Sequence, residues 1–216
     1  MKKILLAILI GLSITIYISN NSENVHANLA HHLIRFHVVA NSNSLEDQVL
    51  KESVKSRIIK ETKHLFDETG NIEQNREIIL RNMDDILQIA HAEVQRWEKD
   101  YDTQISLGIY SFPTRKYGTV TLPAGDYEAL RIVIGEGDGD NWWCVLFPPL
   151  CFIDATQGEM SEDAKQKLKE VLTEDEYSLI TNADVNGEIP VVIRFKIVEW
   201  WQNSRTKIQA AFNTAD

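Results

Sequence analysis

The hydrophobic period of this chain switches near residue 100, and the switch calls for helices and a sheet in one body. From Ser44 up to it, apolar residues recur at the spacing of one helix face; just after it they alternate, as on a half-buried strand. Ser44 with Asp47 resembles a capping box. A helix is predicted from there to about Phe66, with Val49, Leu50, Val54, Ile58 and Leu65 on one side and Lys51, Lys55 and Lys63 outside. Past the turn Asp67-Glu68-Thr69-Gly70-Asn71, a second helix is predicted from about Ile72 to Lys99. Its stripe is Ile72, Ile79, Met83, Ile86, Leu87, Ala90, Val94 and Trp97. Ahead of both, Leu33 to Ala40 reads as a strand with Arg35 and His37 on one face, broken by Asn41-Ser42-Asn43-Ser44.

Beyond the change, Ile105, Leu107 and Ile109 alternate with polar or small residues. Gly118 to Leu122 and Tyr127 to Ile134 are further strands around the turn Pro123-Ala124-Gly125-Asp126. These predict an antiparallel meander. Gly135 to Asn141 interrupts it, and Trp142 to Phe147 resumes as an extended apolar run. Ser161 is expected to cap a short helix to Leu172, and Thr173 with Glu176 forms another capping-box pattern before Tyr177-Ser178-Leu179-Ile180. Residues 190–198 fit either a strand or a helix start at Pro190, with a helix favoured towards Phe212. No linker or repeat divides 28–216, so the expectation is a single α+β domain.

The N-terminus adds a different constraint. Met1-Lys2-Lys3 precedes an apolar run from Ile4 to Ile18, polar residues follow, and Val25-His26-Ala27 places small residues where a signal peptidase reads them. Residues 1–27 are therefore expected to be a cleaved signal peptide, with cleavage after Ala27. The competing reading is an uncleaved anchor, although Ser13, Thr15 and Tyr17 interrupt a run shorter than the ~20 residues of a spanning helix. The chain has 22 Lys+Arg against 32 Asp+Glu, a net of −10. Cleavage removes Lys2, Lys3 and Glu23 and leaves it more acidic still. That balance argues against nucleic-acid binding and against polybasic docking on anionic lipid.

Export changes the meaning of Cys144 and Cys151, the two cysteines of the chain. An oxidising compartment invites a disulfide closing a short loop around Pro148-Pro149. Two buried free thiols are the other reading, and the residues leave both open. No CxxC spacing supports zinc or redox catalysis.

No complete catalytic constellation is apparent. Gly135 to Asn141 contains G-x-G-x-G, but it leads into an extended tryptophan-rich segment rather than opening a helix, as a dinucleotide fingerprint must. Glu136, Asp138 and Asp140 offer oxygens without the spacing of a calcium loop. A glycine-rich hairpin loop is the simpler account, so no metal and no cofactor are expected. His31 and His32 lie by the new N-terminus and are expected in solvent. A nucleophile pair of Cys144 with His37 is conceivable for an exported thiol-dependent hydrolase, but nothing local supports it. Trp142-Trp143 and Trp200-Trp201 hold four of the five tryptophans. Tryptophan is enriched at binding hot spots, and neighbours on a strand face opposite ways, so one of Trp142 and Trp143 is expected to lie outward.

Two stretches carry a family resemblance. One is Arg35-Phe36-His37-Val38-Val39-Ala40-Asn41-Ser42-Asn43-Ser44 followed by Asp47-Gln48-Val49-Leu50-Lys51. The other is Gly135 to Asn141 running into Trp142-Trp143-Cys144-Val145-Leu146-Phe147-Pro148-Pro149-Leu150-Cys151-Phe152. Together they resemble the stage II sporulation protein R family of endospore-forming bacteria. Asn43 stands where the family more often has Asp, which leaves a helix-entry acceptor in place. The resemblance implies a non-enzymatic signal, exported from the forespore into the space between the two membranes of the sporangium. There it would trigger a membrane-embedded aspartic protease of the mother cell, which matures the pro-form of the early mother-cell sigma factor. Membrane contact would pass through that protein partner or an uncleaved signal. On motif position, Trp142 and Trp143 with Gly135, Gly137, Asp138, Asp140 and Asn141 are the candidate protease-facing element, with His37 and Asn41 shaping the same surface.

Overall fold

The computed structural model describes residues 28–66, 70–152 and 162–181, together with 10, 11 and 13. All but the last three belong to one compact unit, residues 23–189. The rest of the signal segment, Ser161, the 190–198 question and Trp200-Trp201 lie outside the described residues.

The centre is strand β1, Ile34–Val39, all six of whose residues are buried. It runs parallel to β5, Gly125–Ile134, with Arg35 opposite Ala129 and Val39 opposite Val133. On its other side it runs antiparallel to β6, Asn141–Phe147, with His37 opposite Trp143. Strand β2, Thr103–Phe112, completes the sheet by pairing antiparallel with β5 along its whole length, from Thr103 opposite Ile134 to Phe112 opposite Gly125. The order is therefore β2-β5-β1-β6. The expected meander is two nested hairpins: inside the long β2–β5 pair, β3 (Arg115–Tyr117) and β4 (Val120–Leu122) pair with each other. The expected α+β class stands, but the parallel β1–β5 pair makes the sheet mixed.

Three helices cover one face. Helix α1 spans Leu45–Thr62, capped as expected by Ser44, whose Oγ accepts from Asp47 N at 3.2 Å. The predicted second long helix is two: α2, Ile72–Arg81, and α3, Met83–Arg96. The break is at Asn82, whose Nδ2 donates to Ile78 O at 2.7 Å. Asparagine competes for backbone groups in this way, and Asp84 and Asp85 then favour a fresh helix N-terminus. Ile34, Phe36, Val38, Leu130, Ile132 and Ile134 pack against Leu50, Val54, Ile58, Ile79, Ile86, Ala90 and Val94. Each fully buried Leu, Ile or Phe contributes roughly 1.5–3 kcal/mol. Two residues depart from the predicted faces of α1. Val49 is 44 % exposed, and Lys51, expected outside, is buried.

The opposite face is covered in part by α4, Glu162–Val171, and α5, Glu174–Thr181. Ala164, Leu168, Leu172 and Ile180 meet Leu29, Leu33, Phe112, Val120, Leu122, Tyr127, Ala129 and Val145. The predicted capping box forms fully: Thr173 N donates to Glu176 Oε2 at 2.8 Å and Glu176 N to Thr173 Oγ1 at 3.3 Å. Leu29, two residues past the expected cleavage point, is completely buried. Among the described residues no helix is long and apolar enough to cross a membrane.

Glu93 on α3 joins the helical layer together. It accepts from Ser53 Oγ at 2.6 Å, Arg57 Nη1 at 2.9 Å and Trp97 Nε1 at 3.3 Å. Burial would raise its pKa, but these partners hold its carboxyl below the usual range. Glu93→Ala removes a charged acceptor from several donors and is expected to cost about 2 kcal/mol. Urea unfolding measures this, and a variant as stable as the parent would show that the clamp contributes nothing.

Candidate functional site

The two motif stretches meet at one end of the sheet. Since β1 and β6 are neighbours, the chain leaving β1 at Ala40 lies beside the chain entering β6 at Asn141. Asn41 interlocks them. Its Oδ1 accepts from Glu136 N at 3.0 Å, its backbone O from Asp138 N at 3.1 Å, and its Nδ2 donates to Asp47 Oδ2 at 2.9 Å. Gly139 N donates to Ala40 O at 3.0 Å and Asp140 N to Asn43 Oδ1 at 2.7 Å. Asn43 therefore holds the glycine loop, and helix entry belongs to Ser44. Buried Lys51 donates to Asp140 O at 3.1 Å and Gln48 Oε1 at 2.7 Å.

This contact explains the glycines. A Cβ on Gly135, at φ +58°, would lie 2.1 Å from Asn41 Oδ1, and one on Gly139 would lie 2.4 Å from Ser42 O. Only glycine lets the two loops approach this closely. Asp47 completes the junction. Burial would raise its pKa, but hydrogen bonds from Ser42, Asn41, Tyr101 and Ser44 hold it low. Glu136, Asp138 and Asp140 have exposed side chains. Among the described residues no group of three or more His, Cys, Asp or Glu gathers as a metal site would require.

Strand alternation divides the tryptophans. Trp142 turns to the helical layer, edge-on to Phe36 at 5.7 Å with Lys55 Nζ 4.9 Å from its ring centre. Trp143 turns to the other face, stacked on His37 at 5.1 Å and edge-on to Phe112 at 4.7 Å. Both are half-buried, so neither is simply outward. His37 Nδ1 lies 3.3 Å from Asn141 Oδ1, while its Nε2 is buried with no partner. Burial first, then the charges of Arg131 and Arg35, lower the His37 pKa to about 4 despite the Asn141 hydrogen bond. The imidazole is neutral at physiological pH.

Below His37 lies Arg35, completely buried. Its Nε donates to Cys144 O at 3.0 Å and its Nη2 to Tyr117 Oη at 2.9 Å. The guanidinium carbon sits 4.4 Å from the Phe112 ring centre and 4.9 Å from that of Tyr127. Sequence reasoning placed Arg35 beside His37 but gave it no role; a lone arginine within an apolar strand was the available signal. Phe112, Tyr117 and Tyr127 went unnoticed as its partners because they come from three different strands.

Cys144 and Cys151 are free thiols side by side, with Cys151 Sγ donating to Val145 O at 2.8 Å. Burial and the neighbouring Cys144 push the Cys151 thiol well up, the opposite of nucleophile activation. Cys144 shares the sheet face of Phe36, whereas His37 shares that of Trp143. The sheet therefore separates the conceived nucleophile pair.

Both motif stretches fall within the range that a protein-family model matches. The family model for stage II sporulation protein R matches residues 30–157. The chain is 34% identical over 191 residues to Stage II sporulation protein R of Bacillus subtilis (strain 168), covering 84% of this chain and 85% of that protein. No solved structure matches.

Burial of neutral His37 has a pH signature. The unfolded chain binds a proton near pH 6.5, the native chain only near pH 4. The contribution to stability is full above that window and falls by up to about 3 kcal/mol as pH drops through it. In urea melts between these pH values, His37→Gln is expected to show a shallower loss than the parent; an unchanged slope would assign the loss to other groups.

Proposed function

Because the chain belongs to the stage II sporulation protein R family, we propose that it is an exported intercompartmental signal that activates a membrane-embedded aspartic protease during endospore formation. The protease in turn processes the pro-form of the early mother-cell sigma factor. The chain is made in the forespore, passes into the intermembrane space and loses residues 1–27. Cleavage there makes Asn28 the new N-terminus, next to buried Leu29.

The observation that carries this reading is the joining of the two family motifs at their loop ends, residues 41–44 and 135–141. Their hydrogen bonds hold shape: Asn41, Asn43, Lys51 and the glycines bind loop to loop. Binding is improved when a surface is rigid before contact, and that is what an activating ligand requires. The same geometry argues against a thiol-dependent hydrolase using Cys144 and His37, since the two lie on opposite faces of the sheet. Reconstitution of the full chain with the protease and the pro-sigma factor in vesicles tests the proposal. Conversion of the pro-form is expected only when all three are present. Equal conversion without the chain, or none with it, would sink the idea.

In an oxidising space the adjacent thiols are expected to close into a Cys144–Cys151 disulfide. The exported protein should then resist alkylation until reduced, and Cys144→Ser and Cys151→Ser should have equal, mild effects. Free thiols in the exported form would refute the bridge. Loss of function from Cys144→Ser alone, with Cys151→Ser silent, would instead favour the hydrolase reading.

A further inference from the structure

The arginines among the described residues fall into two sets. Arg57, Arg76, Arg81 and Arg96 each pair with at least one carboxylate. Among the described residues Arg35, Arg115 and Arg131 pair with none, and all three gather on one sheet face. Arg115 lies over Trp143, 5.9 Å from its ring centre, and Arg131 over Tyr110 at 5.4 Å. His37 links the two rings, 5.1 Å from Trp143 and 5.2 Å from Tyr110. The Nε of Arg131 is buried without an acceptor.

The absence of carboxylates here runs against composition. Acidic residues outnumber basic ones 32 to 22 in the chain. Yet the alternate positions on this face, from Gln104 to Phe112, Gly125 to Val133, Arg35 to Val39 and Asn141 to Val145, contain no Asp or Glu. α4 and α5 pack over the Phe112, Tyr127 and Val145 end. Towards the other end Ser106, Tyr110, Arg131 and Trp143 keep part of their surface in solvent. A cationic strip with aromatic floors, on an otherwise acidic protein, matches a partner of opposite charge. Guanidiniums left unpaired beside aromatic rings are well suited to take carboxylates in bidentate fashion.

We propose that the strip from Arg115 across Trp143, His37 and Tyr110 to Arg131 is the docking surface for an acidic segment of the protein partner. Its carboxylates pair with Arg115 and Arg131 while the intervening residues lie on Trp143 and Tyr110. The inference rests on the reading of the chain as a signal that works by protein contact, and it names the chemistry of that contact. It places the contact beside the glycine loop, with Trp143 and His37 inside it and Trp142 outside.

The test uses the full chain with 15N-labelled arginine, an oligoglutamate peptide as probe, and oligolysine and phosphatidylglycerol vesicles as comparators. The Arg131 Nε–H resonance, assigned through Arg131→Gln, is expected to shift saturably with oligoglutamate and not with oligolysine. The double variant Arg115→Gln/Arg131→Gln should weaken peptide binding by about tenfold or more with an unchanged melting temperature. In the vesicle reconstitution the same variant should need a correspondingly higher concentration to trigger processing. No shift with oligoglutamate, or a shift with phosphatidylglycerol vesicles alone, would overturn the proposal, as would full triggering by the variant. Peptide binding at the strip without any processing by the parent chain would leave the docking chemistry standing and remove the protease reading instead.

Discussion

A guanidinium buried without a counter-ion organises this molecule. Moving Arg35 out of water is costly, and the structure offsets the cost without a carboxylate. A carbonyl from β6 and a hydroxyl from β3 accept its protons, while the faces of Phe112 and Tyr127 supply the quadrupole that favours a cation. Those partners come from four different strands, so the contacts of one side chain bring both hairpins and both neighbours of β1 to one place, although its Nη1 is left without an acceptor. Tyr117 illustrates the economy. Burial pushes its pKa up even though Arg35 opposes the shift, so the hydroxyl keeps its proton and donates to Trp143 O at 3.3 Å while accepting from Arg35. Tyr127, pushed up to about 12 by burial, keeps its own proton for Pro123 O at 2.8 Å.

How far the sequence predicted this follows from the range of each interaction. Ser44 and the Thr173–Glu176 box were legible because a cap is settled within a few residues. The stripe Leu50, Val54 and Ile58 was legible because the helical period is local. The break at Asn82 was available in principle, as an asparagine followed by Asp84 and Asp85, but a continuous apolar stripe from Ile79 to Ile86 masked it. Lys51 could not be placed, since its burial depends on a carbonyl 89 residues away. The parallel pairing of β1 with β5 was equally out of reach, because nothing in the alternation of either strand states its direction. At the candidate site, the motifs named two segments that the fold brings together. Their spacing did not reveal that Trp142 and Trp143 serve opposite faces, or that Asn43 holds a loop.

The glycine loop shows what those motifs are for. An acidic, glycine-rich segment invites a reading as a phosphate or calcium cradle, because such cradles also need tight turns. Here the close approach is to the chain's own backbone: Gly139 lies against Ser42 O and Gly135 against Asn41. Backbone N–H groups that would cradle an anion are used by Asn41 and Asn43 instead. The loop is a joint, and its exposed carboxylates project from a frame fixed by hydrogen bonds between the two loops.

The distribution of unmet charge follows from that rigidity. On the helical side each arginine finds a carboxylate on its own or a neighbouring element, and Glu93 serves two of them. On the Trp143 side the guanidiniums lie against aromatic rings, which attract a cation without neutralising it. His37 cannot change this balance, since burial keeps it neutral at physiological pH. A charge held over aromatic rings in a stiff sheet loses little conformational freedom when a partner arrives, whereas a paired arginine must first surrender its carboxylate. The sheet face that buries one uncompensated guanidinium in the core thereby carries two more at its rim, and among the described residues no carboxylate pairs with them.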